Sequence, residues 1–417
     1  MQADHDGNYP GIERRTFLQQ VALGGAAVGA ASGLSAMAPD ILEAAAPAVK
    51  QHRQLGSTDI RMSDISFGGS RLRSDADLVS YALDKGINYF DTAESYTGGN
   101  SETVIGQALR GKRDQVYIVS KGGFGSHVRQ DKMMRSLEGS LRRLQTDYVD
   151  VYFHHAVNDV GRIRNPEFHA FTERAREQGK IRYVGLSGHG GRLIECLDYA
   201  VDSGKFDVML VAYNFGQDPS FVQKLTRNFD FIAVNPDLPR VLRKAKQAGM
   251  GVVAMKTLRG AKLNDMEPYQ KDGATFSQAA FRWVLSNDDV DGLIVTMRSR
   301  SDIDEFLVAS GGSKVTQRDV DLLQRYVTLN DATYCRPLCD ACEASCPENV
   351  QIADVLRHKM YFEDYGAERM AMERYADLTH NASSCADCTH QRCLGACPYG
   401  LSIPELTRQA HRLLHWG

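Results

Sequence analysis

A regular alternation of short apolar runs and amphipathic segments between His52 and Gly312 is the feature that most constrains the fold. Continuous apolar runs with polar ends are typical of parallel strands that helices cover on the outside. Eight such strand–helix units predict an α/β fold of the (β/α)8, or TIM, barrel type, whose active site lies at the carboxyl ends of the strands. A doubly wound open sheet is the alternative, but no Gly-x-Gly-x-x-Gly turn follows the first strand. The predicted strands are Ile65–Ser70, Asn88–Ala93, Gln115–Lys121, Asp150–His155, Tyr183–His189, Val208–Asn214, Gly251–Lys256 and Gly292–Arg298.

The segments between these strands contain helical patterns, as in Asp131–Leu144, where apolar residues recur at spacings of three and four. The segment Gln217–Asp237 is longer than a simple connection, and we expect it to form part of a loop over the barrel's active face. Hydrophobic residues make up 43% of the chain and charged residues 24%, which is typical of a soluble globular protein. The net charge of −3 gives no sign of a polyanion partner, so nucleic acid is not expected.

Four polar side chains end successive predicted strands. Asp91 and Tyr96 follow the second strand, Lys121 ends the third and His155 ends the fourth. A phenol has an ordinary pKa of about 10, and a nearby lysine cation is expected to lower it while Asp91 holds the lysine in place. Tyr96 could then protonate a carbonyl oxygen as hydride reaches the carbon, with His155 donating a second hydrogen bond.

Each of these residues also has a structural interpretation. Lys121 could be a solvated strand end, His155 a satisfied half-buried histidine and Asp91 a cap of a turn or helix. The occurrence of all four on adjacent strand ends favours a catalytic group.

Three segments resemble the aldo-keto reductase family: Gly86-Ile-Asn-Tyr-Phe-Asp-Thr-Ala93, Leu141–Tyr152 and Gly179–Ser187. The resemblance covers residues 52–312 and implies a TIM barrel that uses a nicotinamide cofactor. It also implies that the four strand-end residues are the family's catalytic tetrad. NADP and NAD both remain open, although Arg298 would suit a 2′-phosphate; a flavin is not excluded, although no flavin motif is present. The candidate cofactor-binding residues are Ser187, Lys256, Leu258, Arg298, Ser299 and Glu305.

The chain departs from the family pattern around the expected cofactor pocket. Ser187-Gly188 replaces the usual Ser-Asn pair, and Met255-Lys256-Thr257-Leu258 replaces a tyrosine followed by Ser-Pro-Leu. The proton-transfer group is therefore more firmly predicted than the cofactor pocket.

Eight of the nine cysteines lie in two runs, Cys335-x3-Cys339-x2-Cys342-x3-Cys346-Pro347 and Cys385-x2-Cys388-x4-Cys393-x3-Cys397-Pro398. Both runs resemble the bacterial ferredoxin motif, in which the fourth cysteine ligates the other cluster. The resemblance implies two [4Fe–4S] clusters, one on Cys335, Cys339, Cys342 and Cys397 and one on Cys385, Cys388, Cys393 and Cys346. Zinc, which prefers cysteine pairs separated by a longer loop, is the weaker alternative. The ninth cysteine, Cys196, is expected to be a buried apolar residue. The segment Ile352–Leu378 is expected to be a helical connector between the cluster halves.

The first residues resemble a twin-arginine export signal. Arg14-Arg15 precedes a weakly apolar run from Val21 to Ala38, and Ala44-Ala45-Ala46 offers small residues for cleavage. A membrane-spanning helix is less favoured, because the run is short and poor in Leu, Ile and Phe. Disulfides would be the default for an exported protein, but twin-arginine export carries folded proteins, so clusters could be assembled before export.

Together these features predict an export signal over residues 1–46, an aldo-keto reductase-like barrel over 52–312 and a mostly helical, ferredoxin-like two-cluster domain over 313–417. The expected protein is an exported, periplasmic iron–sulfur oxidoreductase that interconverts a carbonyl and an alcohol. A nicotinamide transfers two electrons as a hydride, whereas an iron–sulfur cluster transfers one electron at a time. Three arrangements are compatible with this difference: the cofactor is tightly bound, the clusters are structural, or a redox partner protein takes part. The alternative is a non-catalytic electron-transfer or binding protein that uses the barrel as a scaffold.

Overall fold

The computed structural model describes residues 46–189, 193–217, 237–258, 266–270, 274–312, 314–330, 335, 341–363, 368–398 and 400–415. The predicted export signal and most of the segment Gln217–Asp237 lie outside these residues. Within the described part of the chain, no helix has the length and apolar character needed to cross a membrane. The strands are β1 (His52–Gln54), β2 (Arg61–Ser63), β3 (Ile65–Gly68), β4 (Tyr89–Asp91), β5 (Tyr117–Gly122), β6 (Val149–His154), β7 (Ile181–Gly188), β8 (Val208–Ala212), β9 (Gly251–Met255) and β10 (Gly292–Thr296). The helices are α1 (Ala76–Asp84), α2 (Asn100–Ala108), α3 (Gln130–Leu144), α4 (Val160–Ile163), α5 (Pro166–Glu177), α6 (Leu193–Ser203), α7 (Leu238–Gln247), α8 (Phe276–Leu285), α9 (Arg300–Leu307), α10 (Gln317–Asn330), α11 (Ile352–Glu363), α12 (Glu368–Ala376), α13 (Arg392–Ala396) and α14 (Ile403–Leu414).

Strands β3 to β10 form a closed barrel in sequence order, and every neighbouring pair is parallel. The predicted (β/α)8 barrel is confirmed, with one strand for each predicted apolar run. Several strands end earlier than predicted, because the polar residue that follows the apolar run already lies in a loop. His155 and Lys256 each lie one residue beyond the end of a strand, and Arg298 lies two residues beyond.

The side chains of the strands divide between the barrel interior and the helical layer. Inside the barrel, Tyr89, Val119, Val151, Phe153 and Val253 belong to one buried cluster. Outside it, the helices bury an apolar stripe, as α3 does with residues spaced three or four apart, namely Met133, Met134, Leu137, Leu141 and Leu144. Cys196 is fully buried in this outer layer, as predicted.

The antiparallel hairpin of β1 and β2 precedes the barrel. Its apolar residues Leu55, Ile60 and Met62 are fully buried and join the cluster inside the barrel. Gly56 has a φ of 53°, and a Cβ atom there would lie only 2.4 Å from the backbone nitrogen of Gly251. The hairpin therefore closes on the amino ends of the strands, which leaves the carboxyl ends as the open mouth.

A second core joins α8 to α10 on the outside of the barrel. It contains Phe276, Leu323 and Tyr326, and the rings of Phe276 and Tyr326 stack with centroids 4.2 Å apart. Arg282 of α8 donates to the buried carboxylate of Asp319 in α10 at 2.5 Å. Helix α10 thus packs on the barrel layer.

Helices α11 to α14 share a third core, which contains Val355, Leu356, Ala371, Tyr375 and Ile403. The helical prediction for Ile352–Leu378 is confirmed by α11 and α12. The two helices also supply much of this core, and the role of the segment as a connector between cluster halves stays a prediction. The cysteines of both runs that the structure describes lie in or beside it.

Candidate active site

An ion pair lies at the mouth of the barrel, where β4 ends and β5 approaches its end. Lys121 donates from Nζ to Oδ1 of Asp91 at 2.6 Å and to the backbone oxygen of Thr92 at 2.7 Å. Both side chains are almost fully buried, with 1% and 2% of their surfaces exposed. Burial alone would lower the pKa of Lys121, but the adjacent Asp91 carboxylate, followed by Tyr96, raises it above its usual value. Lys121 is therefore a cation at neutral pH.

Tyr96 begins the short 3-10 turn Tyr96–Gly99 that joins β4 to α2. This turn is tight, since Thr97, Gly98 and Gly99 all have positive φ angles, and the Thr97 hydroxyl donates to the backbone oxygen of Leu72 at 2.7 Å. The turn brings the Tyr96 ring to within 4.9 Å of Lys121 Nζ, measured to the ring centroid.

The direction of the pKa shift at Tyr96 corrects the sequence-based expectation. Burial raises the pKa of the phenol, and although the Lys121 cation acts in the opposite direction, it does not reverse the shift. The expectation considered the charge but not the desolvation, which disfavours a buried phenolate.

His155 lies directly after β6, and its backbone nitrogen donates to the oxygen of Gly122 at 2.9 Å. Its ring meets that of Tyr96 edge to face, with centroids 5.6 Å apart and an angle of 78°. Burial, followed by the charges of Lys121, Arg162 and Arg374, lowers the pKa of His155 to about 3. The imidazole is therefore neutral at physiological pH.

Arg162 of α4 holds the loop that carries His155. Its guanidinium donates to the backbone oxygens of Phe124 at 2.7 Å, Ala156 at 2.8 Å and His155 at 3.0 Å. Sequence reasoning missed this residue, because an arginine in a short helix is commonly a solvated charge. The structure thus brings together all four predicted tetrad residues and adds a support that the sequence did not reveal.

A buried polar network below the turn was also missed. The carboxylate of Glu102 accepts from Arg143 Nε at 2.6 Å and from the Ser120 hydroxyl at 2.5 Å. The hydroxyl of Ser101 lies 2.7 Å from that of Thr92. These contacts fix the start of α2 against β5, and so fix the turn that presents Tyr96. A glutamate is rarely fully buried, so the full burial of Glu102 could not be predicted from the sequence.

The candidate cofactor residues lie around the other side of the mouth and make fewer contacts. Ser187 in β7 is buried, and its hydroxyl accepts from the backbone nitrogen of Ala156 at 3.1 Å. Ser299 caps α9 by accepting from the backbone nitrogen of Asp302 at 3.1 Å, and Arg298 beside it has an exposed side chain. Glu305 lies further along α9, and its backbone oxygen accepts from Gln278.

Two further candidate residues, Leu258 and Lys256, follow β9. Leu258 is half-buried and packs on the core. Lys256 adopts a left-handed backbone with a φ of 56°, and its carbonyl oxygen accepts from Asn214 Nδ2 at 3.3 Å. Asn214 and His189, which follow β8 and β7, were not singled out in the sequence. Polar residues that end barrel strands are the signal that could have found them.

The cysteines surround a separate site on the C-terminal helices. A cavity of about 400 Å³, counting its open mouth, is lined by Cys346, Cys385, Cys388 and Cys393. Burial raises the pKa of the Cys385 thiol, and the neighbouring Cys346 and Cys388 act in the same direction. Among the residues that the structure describes, no three His, Cys, Asp or Glu side chains are gathered tightly enough to hold a metal ion.

The second predicted set of thiols is described only in part. Cys342 is buried in the C-terminal core, and Cys335 and Cys397 pack against it. Cys339 lies outside the described residues. Four of the residues that line the cavity are cysteines, and cysteine thiolates are the usual ligands of iron–sulfur clusters. Arg408 supports this loop by donating to the backbone oxygens of Cys385 at 3.0 Å and Cys388 at 3.3 Å.

Comparison with known proteins agrees with the barrel fold. The model of the aldo/keto reductase family matches residues 64–327. An uncharacterized oxidoreductase, YqkF, of Bacillus subtilis is 24% identical over 298 residues, which are 66% of this chain and 95% of the relative. The L-galactose dehydrogenase of Arabidopsis thaliana is 25% identical over 279 residues, covering 62% of this chain and 87% of the relative.

Solved structures give the same result. An aldo/keto reductase from Klebsiella pneumoniae in complex with NADP and acetate is 27% identical, with a TM-score of 0.52, and covers 67% of this chain and 96% of its own. The family match spans more than half of the 417 residues and includes every strand of the barrel. The chain therefore belongs to the aldo/keto reductase family and is an oxidoreductase of that type.

Proposed function

We propose that the protein interconverts a carbonyl compound and an alcohol with a nicotinamide cofactor, and that Tyr96 is the general acid and base. The observation that carries the proposal is the arrangement around Lys121. Its ammonium lies 2.6 Å from Asp91 and 4.9 Å from the centroid of the Tyr96 ring. The ring of His155 meets the same ring edge to face, with centroids 5.6 Å apart.

Each residue has a separate task in this mechanism. The bound nicotinamide supplies or accepts the hydride. Tyr96 is protonated at neutral pH, since its pKa is raised by burial, and it gives its hydroxyl proton to the carbonyl oxygen. The Lys121 cation stabilises the phenolate that remains, while Asp91 keeps the ammonium in position. Neutral His155 donates a hydrogen bond that orients the carbonyl oxygen without competing for the proton.

NADP is the favoured nicotinamide. The exposed Arg298 has no carboxylate partner among the described residues, and it lies beside Ser299 at the amino end of α9. Backbone N–H groups and a cation at such a position suit a phosphate. The Klebsiella relative, solved in complex with NADP, supports the same choice. Ser187, Lys256, Leu258 and Glu305 are the further candidates for this pocket.

We also propose that the C-terminal helices carry two [4Fe–4S] clusters on the two crossed sets of four cysteines. The placement of Cys346 beside Cys385, Cys388 and Cys393 supports the crossed assignment of one set. Such clusters exchange single electrons, and a redox partner protein would then connect them to the reaction. Iron and sulfide analysis of anaerobically purified protein tests this proposal, and fewer than about eight irons per chain would contradict two clusters.

Export by the twin-arginine route to the periplasm completes the proposal, with Arg14-Arg15 as its support. Replacement of both arginines by lysine should leave the precursor in the cytoplasm. Unchanged export of that variant would contradict the assignment.

The Tyr96→Phe variant tests the enzymatic proposal. We expect turnover of a panel of aldehydes, ketones and alcohols to fall by about 10³-fold or more, because the proton donor is lost. Tyr148→Phe, at a half-buried tyrosine under Arg113, is the matched control. Turnover that is absent in the wild type, or unchanged in Tyr96→Phe, would favour the non-catalytic electron-transfer or binding protein instead.

A further inference from the structure

The turn that carries Tyr96 has an uncommon backbone. Thr97, Gly98 and Gly99 follow one another in the left-handed region, with φ angles of 50°, 67° and 89°. Glycine enters this region without steric cost, whereas a side chain branched at Cβ is strained there. Six non-glycine residues in the described part of the chain have a positive φ, and Thr97 is the one among them with a β-branched side chain. The chain therefore keeps a threonine where glycine would fit with less strain.

A hydroxyl group is what threonine adds to this position. The Thr97 hydroxyl donates to the backbone oxygen of Leu72 at 2.7 Å and shares its proton with the backbone oxygen of Tyr96 at 2.8 Å. The same hydroxyl accepts from the backbone nitrogen of Ser101 at 3.0 Å. One side chain thus joins the loop after β3, the turn of Tyr96 and the first turn of α2.

The backbone of Tyr96 is held on both sides as a result. On the amino side, its nitrogen donates to the backbone oxygen of Ala93 at 3.0 Å. On the carboxyl side, its oxygen accepts from the Thr97 hydroxyl. The phenol hydroxyl is the atom of the side chain farthest from the Cα, so a small rotation of the backbone is enlarged there. The two backbone contacts therefore limit how far the phenol moves relative to Lys121 and His155, which lie beside its ring.

These contacts also have a purely structural interpretation. The residue before α2 is Gly99, which has no side chain to cap the helix, and Thr97 satisfies the N–H of Ser101 instead. A capping role alone predicts a loss of stability without a specific loss of activity. Thr275 caps α8, between β9 and β10, by accepting from the backbone nitrogen of Gln278 at 3.2 Å. It provides a comparison for the loss of a cap alone.

We propose that Thr97 is a positioning residue, whose hydroxyl sets the place of the Tyr96 phenol beside Lys121 and His155. The inference rests on the proposed function, since that function makes Tyr96 the proton donor. A displacement of about 1 Å at a reacting group can lower a rate about 100-fold. Loss of the hydroxyl should therefore lower kcat far more than loss of a helix cap does. The KM for NADPH should change little, because the candidate cofactor residues lie around the other side of the mouth.

Three variants of the full-length protein test the proposal, with NADPH and the aldehyde of the panel that the wild type reduces fastest. Thr97→Val keeps the branched shape and loses the hydroxyl, so we expect kcat to fall about 10- to 100-fold and the KM for NADPH to stay within about twofold. Thr97→Ser keeps the hydroxyl and should retain kcat within about threefold. Thr275→Val should lower the urea midpoint of unfolding as Thr97→Val does, and leave kcat within about twofold.

Two results of this series would overturn the proposal. One is a kcat of Thr97→Val within about threefold of wild type. The other is a loss of kcat in Thr97→Ser or Thr275→Val as large as that in Thr97→Val. Should Thr97→Val fail to fold, as judged by circular dichroism, Thr97→Ala takes its place, because it loses the hydroxyl with less strain, and the same loss of kcat is expected.

A double-mutant cycle with Tyr96→Phe separates this inference from the proposed function. If Thr97 acts through Tyr96, Thr97→Val should cause a further loss of less than about twofold in the Tyr96→Phe background. A loss of full size in both backgrounds would show that Thr97 acts on another group and would overturn the inference, while the low turnover of Tyr96→Phe alone would uphold the proposed function. Turnover that is unchanged in Tyr96→Phe would overturn both.

Discussion

The two halves of the barrel mouth differ in how their polar side chains are held. In the half formed by β4, β5 and β6, Lys121 donates to Asp91, and Arg162 donates to three backbone oxygens around His155. In the half formed by β7 to β10, the side chain of Arg298 is exposed, and Lys256 has no carboxylate partner among the described residues. The first half is fixed by the protein itself, whereas the second leaves its charges available to ligands.

The difference separates two requirements of a reductase. Proton transfer depends on distances of a few tenths of an ångström, so the groups that carry it gain from rigid support before the substrate arrives. Groups that bind phosphates or carboxylates need charge and access, and their final order comes with the ligand. Variants in the first half should therefore change kcat, and variants in the second should change KM.

The largest effect is expected for Lys121→Met in the fixed half. We expect kcat to fall about 10³-fold or more, because the phenolate of Tyr96 loses its cation. The change also leaves the Asp91 carboxylate buried without a partner, which should lower the free energy of unfolding by about 3–5 kcal/mol. Steady-state kinetics and urea unfolding measure the two effects.

The double variant Asp91→Asn/Lys121→Met distinguishes these two causes. It removes the unpaired charge, so it should recover most of the stability and none of the activity. Recovery of both would show that Lys121 only supports the fold, and would remove the distinction between the two halves.

The sequence predicted the fixed half better than the other, for physical reasons. The barrel strands are apolar runs, and polar residues at their ends mark the mouth, so Asp91, Lys121 and His155 could be placed from pattern alone. The β1–β2 hairpin could not, because its three-residue strands are too short for a recognisable period. The raised pKa of Tyr96 could not be predicted either, because it depends on how the folded chain buries the phenol.

Contacts between distant parts of the chain gave no signal in the sequence. The charge of Arg374 contributes to the lowered pKa of His155 although more than 200 residues separate them. Residues so far apart share no periodicity, and their proximity follows only from the packing of the C-terminal helices. By contrast, the resemblance of the cysteine spacing to the ferredoxin motif predicted that Cys346 lies near Cys385. Both residues line the same cavity.

Arg162→Met should give the next largest effect, again in the fixed half. Loss of three charge-assisted hydrogen bonds loosens the loop of His155, so we expect kcat to fall about 10- to 30-fold with little change in KM. Arg162→Lys should keep part of the activity, since one ammonium can replace part of the contacts. Arg164→Met, at an exposed arginine whose guanidinium lies over the Tyr199 ring, is the matched control. A rise in KM at constant kcat would contradict a positioning role.

Arg298→Gln probes the half that depends on ligands. We expect the KM for NADPH to rise about tenfold, kcat to stay unchanged and the KM for NADH to be unaffected, because only NADPH carries the 2′-phosphate. Arg300→Gln, an exposed neighbour that lies over the Tyr81 ring, is the control. Equal changes for NADPH and NADH would assign Arg298 to the shared part of the cofactor and remove the preference for NADP.

The smallest effect is expected at His154, which is the last residue of β6 and directly precedes His155. His155 faces the mouth, whereas His154 is fully buried in the outer layer between Phe124 and Phe168, with neither ring nitrogen hydrogen-bonded. Burial lowers the pKa of His154 to about 3. The unfolded chain binds a proton there below about pH 6.5 and the folded chain does not. Stability is therefore fully present above that pH and is lost as the pH falls towards 3.

His154→Leu should reduce this acid sensitivity. Between pH 6 and pH 4, the slope of the unfolding free energy against pH should decrease by up to about 1.4 kcal/mol per pH unit, because one fewer proton is taken up on unfolding. His127→Leu, at an exposed position, should leave the slope unchanged. Urea unfolding at several pH values measures both. His154 lies in the outer layer, away from the mouth, so kcat of His154→Leu at neutral pH should stay within about twofold of wild type. A larger loss of kcat would show that support for the fixed half extends through β6 to its outer face.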